Sequence, residues 1–363
     1  MSWKAIYVSL CKLIMFLLVL IRIQCIHSNP IKVSTEVTSK TLIQMPNIQV
    51  DKPDSYKCMA VPVTDLEFSN VVGFRIDVIK EIIHHLSVAF CEEYKTHQTL
   101  WDCKSSHGNI CSGRSIASGG WDGYSKGHND TMFPEDIGIH LGKDFKMNYV
   151  IIEAHFKQAV QDPGALKSNP ANVTLFMTEK SQKYSYQKVI LYSSGYIPAF
   201  SEDFKAEVSY KWESVPVYVY EYFVHTHNYG QLIEGYIVKN NSKILITMAN
   251  PKQRSQDTVR IEGEPIEIRP GDILAVRCSY RNSAPNKVLF GTGGADEMCN
   301  LILTFKYDAK EIDSFPEAIK FSSNAQDKVW CSDDGHDQGG VLCGLQHDAD
   351  SKTSQENINK FAM

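Results

Sequence analysis

Short runs of alternating apolar and polar residues recur along most of the chain. They include "GFRIDVI", "ANVTLFMT", "VPVYVYEYF", "GDILAVRCSY" and "CNLILTFKY", and turn-forming residues separate them. Successive side chains of a β-strand point to opposite faces, so this alternation is typical of strands with one buried face. Patterns typical of helices are few. The chain is therefore predicted to be all-β, with antiparallel sandwiches or barrels rather than a parallel α/β sheet.

A polar stretch interrupts the strand pattern near the middle of the chain. It reads "TEKSQKYSYQK", and we place a domain boundary within it. The predicted organisation is a signal peptide at 1–28, an N-terminal β-sandwich at 29–182, a C-terminal β-sandwich at 183–318 and a polar tail at 319–363. The tail is rich in Asp, Gln and Ser, and its one feature is the pair Cys331 and Cys343. We expect it to be loosely ordered, with a local disulfide loop.

The N-terminus carries the apolar stretch "LIMFLLVLI" from Leu13 to Ile21. This length is right for the central region of a signal peptide and too short to span a bilayer comfortably. We therefore expect a secreted protein, or one of the secretory-granule lumen. An uncleaved signal anchor is the alternative, because Arg22 follows the apolar run and no clean A-x-A cleavage site is present.

Cysteines, glycosylation sequons and charge narrow the class of protein further. Of ten cysteines, two lie in the predicted signal peptide, and the even number that remains implies disulfides in a secretory chain. Predicted N-glycosylation sites that fit the same route are Asn129, Asn172 and Asn240. The formal net charge of −5 and the lack of a basic patch argue against nucleic acid as a partner.

Two histidines stand two residues apart in the aromatic run "YEYFVHTHNYG". In a strand, His225 and His227 would point to the same face and present two imidazoles side by side, which is a metal-chelating geometry. A pair of half-buried histidines satisfied by hydrogen bonds is the alternative. Met298, in "GGADEMCN", adds a thioether, a soft ligand suited to Cu(I), although a methionine is more often core filler.

A second group of histidines lies in the first half of the chain. His84 and His85 are adjacent, and His155 follows in "VIIEAHF". Adjacent side chains of a regular strand point to opposite faces, so both could reach one metal only with an irregular backbone or with different ring nitrogens. Imidazoles bind both oxidation states of copper, so this group is interpreted as a three-histidine copper site.

Several motifs in the same order resemble the copper- and ascorbate-dependent monooxygenases, in particular their peptidylglycine α-hydroxylating branch. The motifs are "HH", "EAHF", "VHTHNYGQLIEGYIV", "RPGDILAVRC" and "GGADEMCNL", within roughly residues 42–307. The resemblance implies two jelly-roll β-sandwiches with one copper on each, and ascorbate as the reductant. It assigns the electron-transferring copper to His84, His85 and His155. It assigns the copper that binds O2 and substrate to His225, His227 and Met298, the predicted catalytic centre.

The family's disulfides carry over to the same region. The resemblance implies the pairs Cys58–Cys103, Cys91–Cys111 and Cys278–Cys299. Two further family disulfides are absent here, each with both partners missing, and Tyr210 stands where one of those cysteines is expected.

The substrate contacts depart from the peptidylglycine branch. There an arginine two residues before the first histidine of His-x-His pairs with the substrate carboxylate, helped by an asparagine and a tyrosine. Phe223 stands at the arginine position here and Ile302 at the tyrosine position, while Asn300 is kept. Phe223 should weaken the binding of glycine-extended peptides unless another cation substitutes, and Arg277 and Lys188 are the two candidates.

These observations leave three functional hypotheses. The first is a secreted monooxygenase that hydroxylates the α-carbon of C-terminal glycine in peptides, the first step of amidation, with a separate lyase expected to cleave the product. The second is a hydroxylase of a small aromatic or amine substrate, favoured by Phe223 and Ile302. The third is a copper-binding glycoprotein with impaired turnover, which the presence of all six ligands argues against.

Overall fold

The computed structural model describes residues 36–65, 70–96, 98–103, 110–122, 130–166, 168–240, 242–251, 258–291 and 295–314, together with 322–323 and 346–347. Within these ranges most of the chain is strand, and its only helical segments are four short 3-10 helices. They are Val63–Asp65, Lys143–Phe145, Pro163–Ala165 and Ala309–Ser314. The prediction of an all-β fold is confirmed.

The strands fall into two groups along the chain. Those of the first half are β1 (Ser39–Met45), β2 (Ser55–Pro62), β3 (Asn70–Val78), β4 (Ile83–Tyr94), β5 (Leu100–Asp102), β6 (Cys111–Asp122), β7 (Asp130–Met132), β8 (Ile137–His140), β9 (Tyr149–Phe156) and β10 (Ala171–Thr178). Those of the second half begin with β11 (Tyr184–Ser193), β12 (Tyr196–Ile197), β13 (Ser201–Lys211), β14 (Val217–His225), β15 (Gly230–Lys239), β16 (Ser242–Ala249) and β17 (Val259–Arg260). They continue with β18 (Ile266–Ile268), β19 (Ile273–Asn282), β20 (Val288–Leu289), β21 (Asn300–Asp308), β22 (Ser322–Ser323) and β23 (Gln346–His347).

The first group forms an antiparallel sandwich around one hydrophobic core. One sheet has the order β5-β2-β9-β4-β6, and the facing strands have the order β1-β10-β3-β8. Alternation decides which side chains enter the core. On β9, for example, Val150, Ile152 and Ala154 are core residues, whereas His155 lies on the other face.

The second group forms a sandwich around a second core. One sheet has the order β13-β19-β15-β16-β23, and the other has β11-β21-β14 with β17 and β18 at its edge. Its largest fully buried side chain is Trp212, whose indole N–H donates to the Val215 carbonyl over 2.7 Å. Burying such large apolar surfaces is the main stabilising term of both sandwiches.

The two sandwiches share one continuous sheet. Strands β8 and β11 run parallel and pair Ile137 with Tyr184, which joins the two halves into an eleven-stranded sheet. Two side chains add polar contacts at this junction: Gln187 donates to the Ser115 carbonyl over 2.8 Å, and Arg114 donates to the Asp313 carbonyl over 3.0 Å. The predicted domain boundary at 182/183 falls just before β11.

Three disulfides crosslink strands and loops within the sandwiches. They are Cys58–Cys103 and Cys91–Cys111 in the first sandwich and Cys278–Cys299 in the second. These are the pairs that the family resemblance implies. Of the predicted glycosylation sites, Asn240 is exposed in the turn between β15 and β16, and Asn172 lies on β10. The predicted signal peptide, Asn129, Cys331 and Cys343 lie outside the described residues. No helix of the described residues is long and apolar enough to cross a membrane.

Candidate copper sites

The three-histidine set lies on neighbouring strands of the N-terminal sandwich. His84 and His85 stand at the start of β4, and His155 stands near the end of β9, directly opposite His85. The register of the two strands shifts between Ile83 and His85, which marks a β-bulge. A bulge breaks the alternation of faces, so the adjacent histidines can reach the same point.

Their ring nitrogens converge closely. The three Nδ1 atoms are separated by 3.3 Å (His84 to His155), 3.3 Å (His84 to His85) and 3.4 Å (His85 to His155). A point equidistant from all three is about 1.9 Å from each, close to the usual bond length from a metal to an imidazole nitrogen. The residues therefore fit a metal ion held by three Nδ1 atoms.

Two residues orient the imidazole ring of His155. The carboxylate of Asp54 lies 2.6 Å from its Nε2, and Tyr56, its partner across β2 and β9, stacks on its ring at 4.0 Å. A carboxylate on the far nitrogen of a ligating histidine fixes the ring and its tautomer. Burial lowers the pKa of His155 and outweighs the opposing effect of Asp54, which favours the neutral imidazole that metals require.

The second set depends on another bulge, in β14. The register against β21 shifts between Val219 and Glu221, so Tyr220 is an extra residue. Before the bulge, Val219 faces the C-terminal core, and after it Val224 does. Phe223 and His225 therefore lie on the opposite, outward face.

Asn300 relates Met298 to His225 across the strands. Asn300, the residue opposite His225, has its side-chain nitrogen 3.3 Å from the Met298 sulfur. The Tyr280 hydroxyl donates to the Met298 carbonyl over 2.7 Å, and the neighbouring Cys299 is bonded to Cys278. The backbone of Met298 is thus held on both sides.

Glu297 connects the segment that follows β14, which contains His227, with Met298. Its fully buried carboxylate accepts the backbone N–H groups of three residues, His227, Tyr229 and Met298. His227 also lies with its Nδ1 2.6 Å from the Asp296 carbonyl, so Nδ1 carries the proton and Nε2 is left for a ligand.

The sequence does not reveal the roles of Asp54, Tyr56 and Glu297 at these sites. Asp54 is 101 residues from its histidine, so no local pattern could reveal it. Glu297 stands in the "DEMCN" stretch beside Met298 and was visible there, but nothing in the sequence indicated that its carboxylate would be buried.

The residues predicted to contact substrate share the face of His225. Phe223 lies opposite Ile302, and its ring is nearly parallel to that of His225, at a centroid distance of 6.1 Å. Arg277, one candidate cation, lies on β19 of the other sheet and is paired with Glu207. Phe223 and Ile302 thus place apolar side chains beside His225, and Asn300 adds an amide.

The donor atoms of both sets suit copper. Imidazoles bind Cu(I) and Cu(II), and a thioether favours Cu(I), whereas structural zinc sites are usually rich in thiolates. None of the described cysteines is a free thiol, since the three disulfides above account for Cys58, Cys91, Cys103, Cys111, Cys278 and Cys299.

The chain matches two family models over most of its described length. Residues 41–163 match the N-terminal domain of the copper type II ascorbate-dependent monooxygenases, and residues 184–326 match the C-terminal domain. Copper and ascorbate, the cofactors predicted from the sequence, are those that define this family.

Relatives include peptidylglycine alpha-amidating monooxygenase of Rattus norvegicus, 26% identical over 283 residues, which are 77% of this chain and 28% of that protein. Peptidyl-glycine alpha-amidating monooxygenase A of Xenopus laevis is 27% identical over 77% of this chain and 29% of its own length. DBH-like monooxygenase protein 2 of Mus musculus is 25% identical over 66% of this chain and 40% of its own length. The chain thus spans less than a third of the amidating relatives. With both domain models matched in order, it belongs to the copper type II ascorbate-dependent monooxygenase family.

Proposed function

We propose that this protein is a secreted copper- and ascorbate-dependent monooxygenase that hydroxylates the α-carbon of C-terminal glycine in peptides. The observation that carries the proposal is the pair of donor sets, one on each sandwich. Three Nδ1 atoms lie within 3.4 Å of one another in the first. The second combines two imidazoles with the Met298 sulfur.

The overall reaction balances with ascorbate as the electron donor. One oxygen atom of O2 enters the C–H bond, the other leaves as water, and ascorbate supplies two electrons while two protons are taken up. The copper ions, when bound, supply the electron transfer and the reduction of O2. The product of this reaction would be an α-hydroxyglycine.

The residues of the chain hold and shield the reacting groups. His84, His85 and His155 would hold the electron-transferring copper, and His225, His227 and Met298 the copper beside the substrate. Asp54 and Glu297 hold the metal-binding residues in place before copper or substrate binds. This reduces the reorganisation that the reaction needs.

The side chains beside His225 determine which substrates the site accepts. Asn300 offers an amide that can hydrogen-bond to the substrate backbone or carboxylate. Phe223 and Ile302 cover the next positions with apolar surface and keep water away.

A small aromatic or amine substrate is the second candidate. The pairing of Phe223 with Ile302 beside His225 favours it, because an apolar wall suits an aromatic ring better than a charged terminus. A copper-binding glycoprotein with impaired turnover is the third candidate, and it predicts metal binding without product.

An assay of the copper-loaded protein with ascorbate and O2 distinguishes the three candidate functions. We expect hydroxylated product from a glycine-extended peptide, with little from its C-terminal amide and little from phenethylamine. His227→Ala should abolish product and serves as the control for reactions of free copper. Preferential hydroxylation of phenethylamine would support the second candidate, and copper binding with no product from either substrate would support the third.

A further inference from the structure

The outward face of β1, β10 and β3 carries one of the predicted glycosylation sequons. On β10, Val173 and Leu175 enter the N-terminal core, so Asn172 and Thr174 point to the outward face. These two are the first and last residues of the sequon Asn-Val-Thr. Both are half-buried between the neighbouring strands. The fold therefore leaves the acceptor amide of the sequon outside the core.

Three rows of side chains cross this face. The first is Gln44, Asn172 and Asp77, the second is Leu42, Thr174 and Arg75, and the third is Lys40, Phe176 and Gly73. The chain covers its own third row, since Phe176 is 4% exposed and has the Lys40 ammonium 5.4 Å and the Arg75 guanidinium 6.0 Å from its ring centre. Leu42 in the second row is 55% exposed. An apolar side chain thus lies uncovered beside the sequon.

The Asn172 amide is oriented by its neighbour on β1. Gln44 donates from its Nε2 to the Asn172 Oδ1 over 3.2 Å. Within the described residues, no hydrogen bond engages the Asn172 Nδ2. N-glycosylation takes place at Nδ2 and leaves Oδ1 as an acceptor, so a glycan and the bond from Gln44 are compatible.

Leu42 is the diagonal neighbour of Asn172 across β1 and β10. Their register pairs Gln44 with Asn172 and Leu42 with Thr174. Diagonal neighbours in an antiparallel pair are about 7–8 Å apart, which long side chains can bridge. A sugar attached to Nδ2 extends further than an unmodified side chain, so its ring can reach Leu42.

We propose that Asn172 carries an N-linked glycan whose first N-acetylglucosamine lies over Leu42. In the transfer, Nδ2 loses a proton and bonds to C1 of the sugar, while the bond from C1 to the diphosphate of a lipid-linked donor breaks. The C–H face and acetyl methyl group of the sugar bury the leucine, and its hydroxyls stay in water. A protein partner is disfavoured, because one leucine between polar neighbours is far smaller than a stable protein interface.

The sequon at Asn240 is the natural comparison. Asn240 is exposed in the turn between β15 and β16, and the polar pair Lys239 and Ser242 closes that turn. A glycan there would lie at the tip of a polar turn. Ser242→Ala removes this sequon without changing the residue at the turn, so it is the matched control.

Peptide mapping by mass spectrometry tests the modification itself. The full chain is secreted from cultured insect or mammalian cells. We expect a glycan on Asn172 in wild type and none in Asn172→Gln. Thr174→Ser should keep it, because serine also completes a sequon. An unmodified Asn172 in the secreted wild type would overturn the proposal.

The melting temperature tests the contact with Leu42. Asn172→Gln should lower it by about 2 °C or more, since the leucine is uncovered. In a Leu42→Ser background the same change should have no effect, because no apolar surface is left to cover. Ser242→Ala should give the same small shift in both backgrounds. Equal shifts for Asn172→Gln in the two backgrounds would overturn the contact.

Trimming of the glycan separates the first sugar from the rest. In protein made with high-mannose glycans, an endoglycosidase can leave a single N-acetylglucosamine on Asn172. This trimmed protein should melt like the untrimmed protein. If it melts as low as Asn172→Gln, the outer sugars provide the stabilisation and the proposed contact is wrong.

Discussion

At the scale of single residues, the most informative side chain is the Met298 thioether. Its backbone is held by the Tyr280 hydroxyl, by Glu297 and by the neighbouring disulfide. So many constraints on a half-buried methionine exceed what core packing requires, because methionine is normally an adaptable filler. The arrangement supports a role for the sulfur as a ligand.

We predict that Met298→Ile abolishes hydroxylation while the protein remains folded. Isoleucine keeps most of the apolar volume, so stability should fall by less than about 1.5 kcal/mol, while the soft ligand is lost. Product formation and a thermal melt measure the two effects. Met248→Ile, on β16 and packed against the separate apolar cluster that contains Tyr236 and Leu245, is the matched control and should remain active. Full activity of Met298→Ile would show that Met298 is ordinary packing.

At the scale of elements, two β-bulges create the candidate sites. The bulge at the start of β4 brings adjacent histidines to one point, and the bulge at Tyr220 changes which residues of β14 face outward. In a strand with a period of two, one extra residue moves every later side chain to the opposite face. Phe223 and His225 therefore owe their outward orientation to Tyr220.

We predict that deletion of Tyr220 removes the copper bound by His225, His227 and Met298. Without the extra residue, the strand either slips in register or turns His225 toward the core, and either outcome separates the ligands. Tyr220→Phe is the control. It keeps the bulge and removes only the unpartnered hydroxyl, so copper content and stability should be unchanged or slightly improved. Metal analysis of both variants decides the matter, and a deletion variant with its full copper content would contradict this account of β14.

At the scale of the whole molecule, two sandwiches share a sheet but have separate cores. The three-histidine set is on strands of the first sandwich, and the His-His-Met set is on strands of the second. Each ligand set is therefore held by its own core, and loss of one set leaves the packing around the other intact.

We predict two copper ions per chain, with independent loss of each. His155→Ala and His225→Ala should each bind one copper ion, and the double variant should bind none. Metal analysis after removal of loosely bound copper measures these numbers. A wild-type content of one ion, or a preference for zinc, would contradict the two-site arrangement.

The sequence by itself determined the all-β class, because alternation with a period of two is a local property of each strand. It also indicated the family and the candidate ligands, since histidine and methionine stand in recognisable short motifs. The cysteine pairs followed from the family resemblance, and their even number was consistent with them.

Only the tertiary structure decided how those residues meet. Whether His84 and His85 could share a metal depended on a bulge, which arises from pairing with a strand some seventy residues away. Asp54 and Glu297 act through contacts between distant segments, which no local pattern encodes. Arg277 and Lys188 looked equivalent in the sequence, yet pairing with Glu207 occupies the first, while strand register places the second on the face of His225. A charge has a functional meaning only with its neighbours, and those neighbours are set by the fold.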